Sequence, residues 1–381
     1  MQLFDATMHE PLTATRWDAA RAEEVIDRIV SETVAACGSD GTWASFAPDG
    51  SRREPDYSLW TGAAGTRWAL ARLGHEVGEE GLYAGFREAP GADALRGLMH
   101  GETGVLLVSW RLEPTPEKED RLFELVTANA ANPSHELFDG SPGTMLAALH
   151  LYEHTGDDRW RMLWLACAEQ VLDEFRPDPE YGCRLWIQYR RGRLVRSIGA
   201  GHGFASNVRS LLRGRALLDN ERLDELSRAA ATTAATLALR EEGLVNWPTA
   251  ADPYWAADFP IRVQWCHGAP GMITSLATLP PTAEGELLLG AGELVWRAGP
   301  LRKGAGLCHG SAGNGCAFLA LHARTGDPQW LERARAFAMH AVEQTERSEP
   351  NHSLWTGALG VAIYLRACLD GWTGMPVLDV L

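Results

Sequence analysis

The chain has 381 residues, 45% hydrophobic and 22% charged, values of a globular protein long enough to bury a large core. Fifty acidic against 35 basic side chains leave a formal net charge of -15, which excludes a sequence-independent grip on nucleic-acid phosphates. There is no run of 18 apolar residues, so no membrane span is expected, and seven scattered cysteines argue for a reducing, cytoplasmic setting over a disulfide framework.

The first residues, MQLFDATMHEPLTATRWD, have neither a basic n-region nor an apolar h-region, so a secretory signal is not expected. Residues 17–36 read as one amphipathic helix. A repeat then begins. SLWTGAAG ends at Gly65 and SLWTGALG ends at Gly360, near the other end of the chain. A second pair keeps the same register: Gly143 leads to Thr155-Gly156-Asp157 and Trp160, and Gly313 leads to Thr325-Gly326-Asp327 and Trp330. On this template seven units start at Gly62-x-x-Gly65, Gly101-x-x-Gly104, Gly140-x-x-Gly143, Gly203-x-x-Ser206, Gly268-x-x-Gly271, Gly310-x-x-Gly313 and Gly357-x-x-Gly360. Their starts lie 39, 39, 63, 65, 42 and 47 residues apart, and about 40 residues suits two helices with their connections.

Each unit reads as a turn, a mostly apolar helix, a second turn and an amphipathic helix. In the sixth unit Trp330, Leu331, Ala334, Phe337, Ala338 and Ala341 recur at helical spacing. Fourteen helices in seven hairpins can stack as an open solenoid or close into a ring. SLWTG at both ends favours closure, because solenoid ends carry atypical polar caps. The two long spacings hold insertions. CRLWIQYRRGRLVRSIG, around residues 183–199, reads as a β-hairpin turning at Arg190-Arg191-Gly192-Arg193. NWPTAADPYWAADFP, residues 246–260, reads as an ordered loop. Since no flexible linker is visible, residues 1–381 are expected to form one all-α domain with a small β insertion.

Cys266-His267 and Cys308-His309 each sit immediately before a repeat glycine. In a ring these are equivalent corners of neighbouring units, where two thiolates and an imidazole could meet around zinc and leave a fourth position for water or substrate. The spacing is not that of a zinc finger, and buried packing cysteines at tight turns explain the same residues. His202 and His100 occupy the same corner of the fourth and second units. A helix N-terminus disfavours the imidazolium, which suits His202 as a proton acceptor; His100 reads as a turn hydrogen-bonder. Glu136 and Asp139, before Gly140, read first as helix N-terminal electrostatics. The other five cysteines read as structural.

WCHGAPG, LCHG followed by SAGN, GHG and the seven glycine-paired hairpins resemble the lanthionine synthetase C-like family, from Ser58 to Gly360. The resemblance implies an (α/α)7 toroid with zinc at one end of its cavity, held by Cys266, Cys308 and His309. It implies addition of a thiol to dehydroalanine or dehydrobutyrine, the thiol being a peptide cysteine in the lanthipeptide cyclases and glutathione in eukaryotic relatives. Expected partners are therefore a dehydrated peptide or a dehydroamino-acid-containing protein, glutathione, and a separate dehydratase. The family's acid/base histidine falls on His202 and its arginine on Arg262, and Glu136 is expected beside them as a third catalytic candidate. The cyclases carry Asp where this chain has Glu136, and Tyr where it has His267. Two other readings stand beside this one: a non-catalytic toroid that captures a peptide or small ligand, and a glycosidase toroid, which would need a better-separated carboxylate pair than Glu136 and Asp139.

Overall fold

The computed structural model describes residues 2–44, 53–190, 192–252, 261–280 and 285–381. Among these are fourteen α-helices: α1 (Ala19–Ala35), α2 (Ala63–Arg72), α3 (Leu82–Glu88), α4 (Glu102–Leu112), α5 (Pro116–Asn129), α6 (Ser141–Thr155) and α7 (Asp158–Asp173). They continue with α8 (Phe204–Arg213), α9 (Asn220–Leu237), α10 (Ala269–Leu276), α11 (Gly285–Ala298), α12 (Ser311–Thr325), α13 (Pro328–Glu346) and α14 (Ala358–Asp370).

The even-numbered helices each follow one of the seven glycines. They pack side by side in the order α2, α4, α6, α8, α10, α12, α14 and back to α2, which closes the ring. These inner helices are buried over most of their length. In α6 every residue from Ser141 to Leu151 is buried, and in α12 every residue from Ser311 to Leu321. The odd-numbered helices lie outside and bury one stripe. In α13 that stripe is Trp330, Ala334, Phe337, Ala338 and Ala341, while Leu331 is only partly buried against it.

The Thr-Gly-Asp connectors each perform two tasks. Gly156 and Gly326 end the inner helices in left-handed conformation, at φ 70° and 72°. Asp157 and Asp327 then cap the outer helices by accepting from the backbone N–H of Arg159 and Gln329. The second glycine of each turn is fixed by lack of space. A Cβ on Gly143 would stand 1.9 Å from the Leu137 carbonyl oxygen and 3.1 Å from Cβ of Leu98 in the preceding unit. On Gly313 the corresponding distances, to Leu307 O and Trp265 Cβ, are 1.8 and 3.1 Å. In the fourth unit Ser206 fills this place, and its hydroxyl bonds the backbone of Gly203.

The seventh unit departs from the sequence reading. Its outer helix is α1, from the other end of the chain, which packs on α14 through Val25, Ile26 and Ile29. The insertions also differ. Gln188–Arg190 and Arg193–Val195 form the expected hairpin, with Arg190 opposite Arg193, although Arg191 lies outside the described residues. Cys183–Leu185 belongs to a separate hairpin with Arg176–Asp178, because the Asp178–Gly182 turn folds it back on its own upstream chain. A third hairpin pairs Leu239–Glu241 with Leu244–Asn246. Of the loop at 246–260, residues 253–260 lie outside the described residues. The buried apolar side chains form one continuous cluster from Leu3 to Leu381, and no described helix is long and apolar enough to cross a membrane.

Candidate metal centre and its rim

The turns that start the inner helices lie at one end of the ring and hydrogen-bond to one another. At five of the seven junctions the residue two before a repeat glycine donates its N–H to its counterpart in the next unit: Trp60 to Met99, Met99 to Phe138, Gly201 to Cys266, Cys266 to Cys308 and Cys308 to Trp355, at 2.8–3.1 Å. This belt places Cys266 beside Cys308 although a whole unit separates them in sequence. Gly201 leaves room there, since a Cβ on it would come 3.0 Å from Cβ of Cys266.

Cys266 Sγ, Cys308 Sγ and a ring nitrogen of His309 all lie within 4.8 Å of one another. Ligands of a tetrahedral zinc, at about 2.3 Å for sulfur, stand roughly 3.8 Å apart, so this donor set fits zinc with a small contraction. Both cysteines are buried and His309 is half-buried. The hydrogen bond from Cys308 holds the Cys266 thiol far below the usual range, against the opposing effect of burial and with help from the charges of His267 and His309. Burial and the neighbouring Cys266 push Cys308 far up, against the positive charge of Lys303.

The loop carrying Cys266 is pinned from both sides. Asn246, fully buried, accepts from Ala269 N–H at 2.8 Å and donates to Arg262 O at 3.1 Å. Asn314 donates to Val263 O at 2.9 Å, and Gln264 Nε2 donates to Cys266 Sγ at 2.9 Å. Asn314 ends the SAGN motif and Asn246 opens the loop at 246–260, but nothing in the sequence tied them, or Gln264 and Lys303, to the cysteine pair; folding brings them there.

His202 and Glu136, 66 residues apart, meet on the same rim. His202 Nδ1 lies 2.7 Å from Glu136 Oε2. Glu136 is 1% exposed and also accepts from the N–H groups of Phe138 and Asp139, which suits the ionised acid. The proton then belongs on Nδ1 of His202, leaving Nε2 free for chemistry. The Phe138 ring lies 4.3 Å from the His202 ring, and the His267 ring lies 6.3 Å from it. Glu136 therefore does more than tune a helix end. His100 instead faces Asp139 at 3.5 Å and the Phe138 ring. Arg262 is half-buried, and its guanidinium has no ion pair among the described residues. Trp265, Trp355, Trp60 and Phe138 run as an aromatic layer across the rim, with successive centroids 4.7, 5.3 and 4.6 Å apart.

A sequence profile described as lanthionine synthetase C-like protein matches residues 187–373. Glutathione S-transferase LANCL1 of Danio rerio is 37% identical over 118 residues, 29% of this chain and 29% of that protein. LanC-like protein GCL1 of Arabidopsis thaliana is 40% identical over 111 residues, 26% of this chain and 25% of that protein. The aligned stretch thus spans less than a third of either relative. Among solved structures, a nisin cyclase superposes with a TM-score of 0.63 over 93% of this chain and 94% of its own, at 14% identity, a likeness of fold.

Proposed function

Residues 187–373 belong to the lanthionine synthetase C-like family, and from that premise we propose that the chain is a zinc-dependent enzyme that adds a thiol to dehydroalanine or dehydrobutyrine. The observation that carries the proposal is the convergence of Cys266, Cys308 and His309 on one point of a rim that also bears the His202–Glu136 pair. A free thiol is only a few per cent thiolate at neutral pH. Zinc held by Cys266, Cys308 and His309 would supply the Lewis acidity that keeps a substrate thiol ionised at its fourth position.

The chain's own groups answer the remaining demands. The incoming sulfur forms a bond to Cβ, and the displaced π electrons move through Cα onto the carbonyl oxygen as an enolate. Arg262 offers a guanidinium to that oxygen. His202 Nε2 takes the proton released by the thiol and returns it to Cα, while Glu136 holds Nδ1–H and offsets the transient imidazolium. Within the aromatic layer Trp265, Trp355 and Phe138 are buried, and the partly buried Trp60 offers the acceptor's apolar parts a surface. The thiol is glutathione, as the name of the zebrafish relative suggests, or a cysteine of the same dehydrated peptide.

The test is to incubate the protein with a dehydroalanine peptide, once with glutathione and once with a cysteine in the peptide, and follow adducts by mass spectrometry. Adducts in either arm, lost in Cys308→Ala and His202→Ala, are expected. A peptide that binds equally well with and without metal and is never modified would favour the non-catalytic toroid.

A further inference from the structure

A cavity of about 610 Å³ lies at the other end of the ring, where α8, α10, α12 and α14 finish. Its wall carries Arg209, Arg213, Arg215 and Arg324, a concentration of positive charge in a chain whose net charge is -15. Two of these charges are answered within the protein: Arg209 pairs with Asp379, and Arg213 pairs with Glu153. Arg215 and Arg324 have no carboxylate partner among the described residues. They donate only to carbonyls at the end of α10. Arg324 Nη1 donates to Ala277 O and Leu279 O, both at 2.7 Å, and Arg215 Nη1 to Thr278 O at 3.3 Å.

Capping a helix C-terminus accounts for those bonds but not for the remainder. A guanidinium has five N–H donors, and Nε and Nη2 of both residues have no protein acceptor among the described residues. An anion supplied from outside would give the unused N–H groups of Arg215 and Arg324 their acceptors.

The charge and the size together select the ligand. Two unanswered guanidinium charges match a group of about −1.5 to −2, the charge of a phosphate monoester at neutral pH, whose three oxygens can accept from several forks at once. The volume is that of a pocket for an organic molecule, roughly 300–1,000 Å³, and Leu212, Ala320 and Trp372 offer it an apolar side. We propose that this cavity binds the phosphate monoester of a small organic molecule through Arg215 and Arg324, at the opposite end of the ring from the cysteine pair.

The test is calorimetric titration of the full chain with phenyl phosphate and with inorganic phosphate at constant ionic strength. Phenyl phosphate is expected to saturate one site per chain and to bind more tightly than inorganic phosphate. R324Q and R215Q should each weaken it at least tenfold, while C308A should leave it unchanged. Arg215 is exposed, so R215Q keeps the fold even where R324Q fails to. No saturable binding of either probe, or an unchanged affinity in R215Q, would overturn the proposal.

Discussion

Glu136 illustrates what a single residue contributes here. Its two oxygens accept from two backbone N–H groups and from His202 Nδ1. Glu136→Gln keeps the shape but removes the charge that favours Nδ1–H and supports a transient imidazolium. Its turnover in thiol addition should fall by about 10²-fold or more, the scale of general acid–base catalysis, with zinc content unchanged; loss of zinc in this variant would show instead that Glu136 is structural. The cysteines and His309 were legible in the sequence because they recur at one point of a repeat. The contact between Glu136 and His202 was not, because nothing in either local motif says that two turns 66 residues apart share a rim. Gln264 and Asn246 were invisible for the same reason.

At the scale of elements, the repeat is written in its connectors. Thr-Gly-Asp ends one helix and caps the next, and the paired glycines let each inner helix start against its neighbour. Gly313→Ala places a methyl 1.8 Å from a backbone oxygen that cannot step aside. It should destabilise the protein by about 1–3 kcal/mol or more in urea unfolding. Asp327→Ala, which removes only the cap, should cost about 1 kcal/mol. If both cost the same, the crowding seen at the second glycine would not explain the motif. The helix pattern could be read from sequence because periods of 3.6 are local. The first β insertion was misassigned at Cys183 because short alternating runs do not reveal which neighbour they pair with.

At the scale of the whole molecule, the seventh unit is completed by α1, which the sequence marked as amphipathic without showing what its apolar face meets. Ile29 is 1% exposed in that contact. Ile29→Ala should cost about 2–5 kcal/mol. If residues 1–381 unfold as one unit, as we propose, far-UV circular dichroism and tryptophan fluorescence should lose signal in a single shared transition. Two separated transitions would mean that the α1–α14 unit is an independent piece.

The C-terminal segment adds a pH dependence. Burial pushes the Glu153 carboxyl up, but His150, Arg213 and the Arg213 charge outweigh it and hold its pKa at about 2, against an ordinary 4.5. A depressed carboxyl contributes stability that is complete above pH 4.5 and is lost as pH falls toward 2. Arg213 also donates to Asp379 O, so this loss should loosen the tail. Proteolysis of the tail should rise over that window in the wild type and be already raised at neutral pH in Glu153→Gln.

The proposed thiol chemistry requires Cys266, Cys308 and His309 to converge on a metal. The direct test is zinc per chain, by elemental mass spectrometry on protein purified without chelator, for the wild type and Cys308→Ala. The predicted result is close to one zinc per wild-type chain and almost none in the variant. A wild type without metal, or a variant that retains it, would contradict the assignment of Cys266, Cys308 and His309 and the thiol chemistry built on it.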